Sequence, residues 1–130
     1  MNSLVIISNK NNYEFNKEFY VAQFDKFFKK HIFEKIYLVF YINDLIDEYW
    51  CKCIPINDYT KGYISHLDYD EDFIRRNIDY LQRYLENDIK SDDNVVLYSD
   101  NLSIGLVNKL LKKLQSNDKQ LTIIKNLEEL

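Results

Sequence analysis

Glycine and proline are scarce in this 130-residue sequence, which has two of the first and one of the second. Tight hairpin turns and phosphate-binding loops depend on glycine, because its backbone adopts conformations that other residues resist. Gly105 stands alone, and neither glycine-rich pattern of the common nucleotide-binding loops is present. The sequence therefore argues against an all-β protein with many tight turns and against a loop that cradles a phosphate.

Long apolar runs are absent as well. No stretch approaches the ~20 apolar residues of a membrane-spanning helix. The first apolar run, 4–7, is too short for a signal peptide, and no basic residue precedes it. Cys51 and Cys53 lie too close in sequence for an ordinary structural disulfide, so we expect reduced thiols. These features predict a cytoplasmic protein with no membrane partner.

A concentrated basic region is the third absence. The net charge is -4, the isoelectric point is near 5.2, and residues of the two signs are interspersed along the chain. Proteins that bind nucleic acid directly are usually basic or carry a basic face. We therefore expect no direct nucleic-acid contact, whereas an acidic chain suits a partner with a basic surface. Acidity that only aids solubility is the alternative.

Apolar runs separated by helical periodicity are what the sequence does contain. Runs without alternation indicate strands that are buried on both faces, as in a parallel sheet. Aromatic residues at helical spacing, among them Tyr20, indicate the buried stripe of the first helix. Strands are expected at 4–7, 36–42, 95–98 and 121–124, and helices at 15–30, at 70–89 and in the second half of 94–116.

In segment 49–56, the side chains of Trp50, Lys52, Ile54 and Ile56 alternate with those of Cys51, Cys53 and Pro55. Such alternation indicates a strand. Lys52 and Pro55 disfavour a central place in a sheet, because proline cannot donate to a strand ladder. We predict an antiparallel edge strand near 50–56. A short helix over 45–51 is the competing interpretation.

The helix predicted at 70–89 has a regular apolar stripe and acids near its start, as the helix dipole prefers. Acidic residues also precede arginines by four positions, which is the favourable order for ion pairs on a helix. The expected stripe comprises Ile74, Ile78, Leu81 and Leu85, and the expected pairs are Glu71 with Arg75, Asp72 with Arg76, and Asp79 with Arg83.

Alternating strands and helices predict an α/β fold with one domain over 1–130. We expect a Rossmann-like three-layer sandwich with helices on both faces of a mostly parallel sheet of about four to five strands. In such a sheet the strand carboxyl ends form a crevice that binds ligands. The polar residues after the predicted strands are Ser8, Asn9, Asn43, Asp44, Ser99, Asp100, Asn101, Lys125 and Asn126. The simpler interpretation is that these are ordinary turn and cap residues.

Metal and nucleophile patterns are weak. Cys51 and Cys53 with His66 would give three ligands, but thiolate zinc sites use a wider spacing and a fourth ligand. His31 and His66 are the only histidines, and neither lies in a pattern that activates a thiol. The acids around 68–72 do not fit a calcium-binding loop. We predict no catalytic residues, no metal and no cofactor.

An acidic, tyrosine-rich segment precedes the helix predicted at 70–89. Tyrosine gives a large contact area at low entropic cost, and carboxylates pair with arginine and lysine of a partner. We therefore predict a protein-binding surface here, formed by Tyr59, Tyr63, Asp68, Tyr69, Asp70 and Asp72.

In size, acidity and base-composition bias, the chain resembles immunity proteins of bacterial toxin systems, notably those of contact-dependent growth inhibition. The resemblance covers overall character and transfers no individual residue. It implies a protein that is not an enzyme and that neutralises a cognate toxin, often a basic nuclease, by covering its active site. The alternative is a small Rossmann-like enzyme or a nucleotide- or small-molecule-binding domain that uses the strand-end crevice. A homodimer is a further expectation, through an exposed edge strand near Trp50.

Overall fold

The computed structural model describes residues 2–15, 17–30, 33–42, 48–55, 74–89, 94–101, 105–116 and 120–129. Strands and helices alternate through most of these ranges, and we number them in chain order. The strands are β1 (Asn2–Asn9), β2 (Lys35–Tyr41), β3 (Glu48–Pro55), β4 (Ile74–Asn77), β5 (Asn94–Ser99) and β6 (Gln120–Ile124). The α-helices are α1 (Lys10–Phe15), α2 (Lys17–Lys30), α3 (Ile78–Ile89) and α4 (Gly105–Ser116), and a 3-10 turn covers Leu127–Glu129.

The described strands form one six-stranded mixed sheet with the order β4-β3-β2-β1-β5-β6. The pairings β1–β2, β1–β5 and β5–β6 are parallel. The pairings β2–β3 and β3–β4 are antiparallel. β1 is thus an inner strand with a parallel neighbour on each side, which matches its continuous apolar sequence.

The predicted Rossmann-like sandwich with a mostly parallel sheet of four to five strands is wrong. The described residues alone contribute six strands, and β3 and β4 run antiparallel to their neighbours. The short connection between β2 and β3 explains the difference, because a parallel return needs a crossover of roughly a dozen or more residues. Only residues 42–47 separate β2 from β3, and a link of that length allows only an antiparallel return.

β3 differs in one respect from the antiparallel edge strand expected near 50–56. It pairs with β2 on one side, but β4 pairs with its other side, so β3 is an inner strand. Pro55 lies at its last position, opposite Lys35, where a missing backbone donor costs little. The competing helix over 45–51 is wrong for residues 48–51, which belong to β3.

The helix predicted at 70–89 begins later than expected. Residues Ile74–Asn77 form β4, which pairs with β3, and the helix starts at Ile78. Ile74 is 54% exposed, whereas Ile78 packs against the core and Leu81 and Leu85 are fully buried, so the predicted stripe enters the core from Ile78 onward. The Asp79 carboxylate forms an ion pair with Lys109 of α4, whereas helix spacing predicts Arg83 as its partner.

The two faces of the sheet support two separate apolar clusters. Alternate residues of β1 enter each cluster, Leu4 and Ile6 on one side and Val5 and Ile7 on the other. Tyr20 of α2 and Leu127 contribute to the first cluster. The helices α3 and α4 contribute Leu81, Leu85, Leu106 and Val107 to the second cluster.

Replacing Gly105 by alanine should stabilise the protein. A Cβ built at Gly105 lies 3.5 Å from Ile78 Cδ1, which is an ordinary van der Waals contact. Alanine restricts the unfolded chain and favours helix, so we expect a gain of about 0.5–1 kcal/mol in the free energy of unfolding. Urea denaturation of both proteins measures it. A loss of stability would show that this position requires the freedom of glycine.

Candidate functional site at the carboxyl ends of the central strands

Three neighbouring parallel strands end at the same edge of the sheet. β1 lies between β2 and β5, and its register places Ser8 beside Phe40 of β2 and Ile7 beside Ser99 of β5. The chain passes from β1 to β2 on one side and returns to β5 on the other. In open α/β sheets this reversal of strand order is the usual place for a ligand.

Asp100, the first residue after β5, is the centre of a hydrogen-bond network at this edge. Its Oδ2 accepts from Asn9 N at 2.8 Å, from Asn12 Nδ2 at 3.2 Å and from Ser8 Oγ at 3.2 Å. Its Oδ1 accepts from the Tyr41 hydroxyl at 2.5 Å. One carboxylate therefore joins β1, α1 and the end of β2.

Local backbone geometry places these donors around the carboxylate. Asp100 N donates to Ile7 O at 3.3 Å, which continues the β1–β5 pairing beyond the end of β5. Asn9 caps α1, since its Oδ1 accepts from Asn11 N at 2.9 Å. Its Nδ2 donates to Ile42 O at 3.2 Å, beyond the end of β2. The start of α1 and the ends of three strands are thus fixed together.

The four donors around Asp100 are divided unequally between its two oxygens, with three on Oδ2 and one on Oδ1. Each carboxylate oxygen offers about two acceptor positions, so Oδ2 is fully used by donors of this chain, whereas Oδ1 can accept one more. A ligand that bound to Oδ2 would have to displace one of these donors. The arrangement therefore holds strands in register chiefly through Oδ2.

Tyr20 extends the network into the core. Its hydroxyl lies 3.2 Å from Ser8 Oγ, and the residue is only 2% exposed. Burial raises the pKa of this phenol well above its ordinary range, and the nearby Tyr98 and Asp100 add to the rise. Tyr20 therefore stays neutral and acts as a hydrogen-bonding group.

Only some of the residues predicted to form the strand-end crevice lie together in the structure. Ser8, Asn9, Ser99 and Asp100 meet at one edge, whereas positions 43 and 44 lie outside the described residues. Ser99 Oγ accepts from Asn101 N at 3.2 Å, as in an ordinary turn. Asn126 Oδ1 likewise accepts from Glu128 N at 3.0 Å. These contacts favour the simpler interpretation of turn and cap residues.

Sequence reasoning missed three partners of Asp100 and Ser8. Asn12, Tyr20 and Tyr41 come from two helices and a strand, and only the fold brings them to one point. Tyr20 was expected as core, which its burial confirms, but not as a partner of Ser8. The available signal was the position of Tyr41 at the end of an apolar run, where a phenol can keep its hydroxyl at the sheet edge.

A second polar cluster lies at the opposite edge of the sheet, where β2 begins. The buried Tyr37 donates its hydroxyl to the Asp88 carboxylate. Lys35 Nζ donates to Asp88 O at 3.3 Å and lies 3.8 Å from Asp88 Oδ2. A cation at the last carbonyls of a helix is favourable, so Lys35 stabilises the carboxyl end of α3.

Cys51 and Cys53 are free thiols on the face of β3 that α3 covers. Burial, and then the neighbouring Cys53, raise the pKa of the Cys51 thiol to about 12. Burial raises the pKa of Cys53 too, although a hydrogen bond with Tyr37 opposes the shift. Both thiols are therefore protonated at neutral pH, in a form that is a poor nucleophile and a poor metal ligand.

Other predicted site residues cannot be placed. Over the described ranges, no three His, Cys, Asp or Glu side chains are grouped to hold a metal ion. His31 and His66 lie outside those ranges. So do all the predicted partner-binding residues, namely Tyr59, Tyr63, Asp68, Tyr69, Asp70 and Asp72.

Comparison with known proteins finds no matching family model, no matching curated protein and no matching solved structure. None of the helices in the described ranges is long and apolar enough to cross a membrane.

Replacing Asp100 by asparagine should destabilise the fold. The side chain keeps its size, but one acceptor oxygen becomes a donating amide that faces existing donors. Hydrogen bonds to a charged acceptor are the stronger ones, so we expect a loss of about 2–4 kcal/mol in urea denaturation. Asp79→Asn is the control, because Asp79 is exposed and should change stability little. Equal effects of the two changes would contradict a structural role for the network.

Alkaline pH should weaken the fold through Cys51. Its thiol ionises near pH 9.0 when unfolded but near 12 when folded, so above pH 9 unfolding releases a proton. The contribution is complete below pH 9 and falls as pH rises towards 12. In urea denaturation, the free energy of unfolding of the natural protein should fall relative to that of Cys51→Ala as pH rises above 9. A difference independent of pH would contradict this assignment.

Proposed function

We propose that this protein is an immunity protein that binds a cognate bacterial toxin in the cytoplasm and blocks its active site. It acts by protein–protein contact and carries out no reaction of its own. The toxin is a protein with a basic surface, most simply a nuclease. The contact segment is the one that contains Tyr59, Tyr63, Asp68, Tyr69, Asp70 and Asp72.

The internal hydrogen bonding of Asp100, with three donors on Oδ2 and one on Oδ1, is the observation that carries the proposal. An enzyme with a sheet of this kind would place reactive groups where the strands end. Here the carboxylate at that position already accepts from a backbone amide, an asparagine amide, a serine and a tyrosine. Recognition through a surface elsewhere fits this arrangement better than chemistry at the strand ends.

Exposed tyrosines on α3 lend further support. Tyr80 and Tyr84 are 47% and 40% exposed and lie one helical turn apart. Arg76 lies over the Tyr80 ring, with its Cζ 4.6 Å from the ring centroid, and so restrains that side chain. Restrained, exposed tyrosines are typical of binding surfaces because they lose little entropy on binding. They follow the proposed contact segment in sequence.

Charge supports a basic partner. The chain has a net charge of -4, and the proposed contact segment contributes three aspartates. Opposite potentials accelerate association and make it depend on salt. A nuclease that binds a polyanion presents the complementary surface.

A charge-reversal experiment tests the contact segment. The probe is the product of a toxin-like reading frame immediately upstream of this gene. Asp68, Asp70 and Asp72 are changed together to lysine, and binding is measured by calorimetry over a series of salt concentrations. We expect affinity at least about tenfold weaker and a flatter salt dependence, because interfacial charge pairs are lost.

The control makes the same change in charge away from the segment. Glu18, Glu34 and Glu128 are exposed, and their replacement by lysine also raises the net charge by six units. This control variant should bind the toxin more tightly than the variant with lysine at positions 68, 70 and 72, at every salt concentration. Equal losses in the two variants would contradict the site, and no binding by the natural protein would contradict the role with that toxin.

A small-molecule-binding domain is the second candidate, favoured by the meeting of three strand ends at Asp100. A thermal-shift screen with nucleotides and sugar phosphates separates the two. A ligand of the crevice raises the unfolding temperature by mass action, and Asp100→Asn should weaken that rise. An immunity protein should show no shift with these compounds.

A further inference from the structure

The two outer strands of the sheet differ in how they are protected against pairing. On β4, Arg75 forms an ion pair with Glu48, and its Cζ lies 5.8 Å from the Trp50 ring centroid. Arg76 lies over Tyr80. Charged side chains on an outer strand disfavour pairing with a like strand, because the charges must approach and lose water. β4 therefore has the character of a protected edge.

β6 carries none of these protections. Its sequence, QLTII, has no charged residue, no proline and no glycine. Within the described part of the chain, β6 pairs with β5 on one side and ends the strand order on the other. Thr122 is exposed, and Ile123 is 41% exposed. The strand thus presents backbone groups and an apolar side chain at its outer edge.

We propose that two copies of this chain pair through their β6 strands and join their sheets edge to edge. A twofold axis makes the two strands antiparallel, and each copy contributes the same surface. Ile123, the most exposed apolar side chain of the strand, lies near that axis. This dimer uses the outer strand at the far end of the strand order from β4.

The chemistry of β6 selects a second copy over a charged partner. The strand offers hydrogen-bonding backbone and apolar contact, so a basic toxin would find no opposite charge to recognise within it. Two β6 strands bring no charge of their own to the pairing, and the nearest described charged residue is Lys125 after the strand, whereas two β4 strands would bring four arginines together. The inference is independent of toxin binding.

Interface size and charge set the properties of the dimer. Two five-residue strands bury less than the roughly 1,000 Å² of a stable interface, so we expect a dissociation constant in the micromolar range or weaker. Each copy has a net charge of -4, and this general repulsion is screened by salt. Dimerisation should therefore strengthen as ionic strength rises.

Matched lysine substitutions on the two outer strands test the proposal. Ile123→Lys places two like charges near the twofold axis, and Ile74→Lys makes the same change on the similarly exposed isoleucine of β4. Sedimentation equilibrium is run from micromolar to millimolar protein, with circular dichroism as a check of folding. The natural protein and Ile74→Lys should dimerise alike. Ile123→Lys should dimerise at least about a hundredfold more weakly.

Hydrogen exchange of the natural protein supplies a second measurement that does not depend on a variant folding. Backbone amides of β6 should exchange more slowly as protein concentration rises, while those of β4 should not change. A natural protein that remains monomeric throughout would overturn the proposal. So would a dimer that Ile74→Lys disrupts and Ile123→Lys leaves intact.

Discussion

The hydrogen bonds accepted by the Asp100 carboxylate hold the carboxyl ends of the central strands together. Parallel strands that end together leave backbone donors and polar side chains at one edge, and these groups need acceptors. Asp100 meets that need for Asn9, Asn12, Ser8 and Tyr41 with two oxygens. The position at which open α/β sheets usually place a ligand is here part of the framework, which supports the proposal of a protein that acts by binding a partner.

The strands that enter the core could be predicted, and the outer strand β4 could not. β1 and β2 are buried on both faces, so each is apolar along most of its length, which is visible in sequence. β4 reads IRRN and is mostly exposed. Its arginines suit the helix that follows equally well, and only the pairing with β3 makes it a strand. The antiparallel half of the sheet depends on such contacts between distant segments, so the fold class was predicted wrongly.

The candidate site was predictable to a similar extent. Ser8, Asn9 and Asp100 follow apolar runs, and parallel strands that end together bring such residues to one edge. Their hydrogen-bond partners could not be predicted, because Asn12, Tyr20 and Tyr41 reach the site from other elements. Likewise, the thiols of Cys51 and Cys53 could be expected to share a face of β3. Their protonation depends on burial under α3, which sequence spacing does not report.

The parallel pairing of β1 with β5 has a consequence for how the chain is made. Asn2 lies beside Asn94, so a strand near the start of the sequence waits for a neighbour made much later. During synthesis, the backbone edge of β1 that faces β5 stays unpaired until residues 94–99 have left the ribosome. Contacts this distant in sequence also slow folding. The edge of β1 therefore remains open to pairing with other strands for a large part of synthesis.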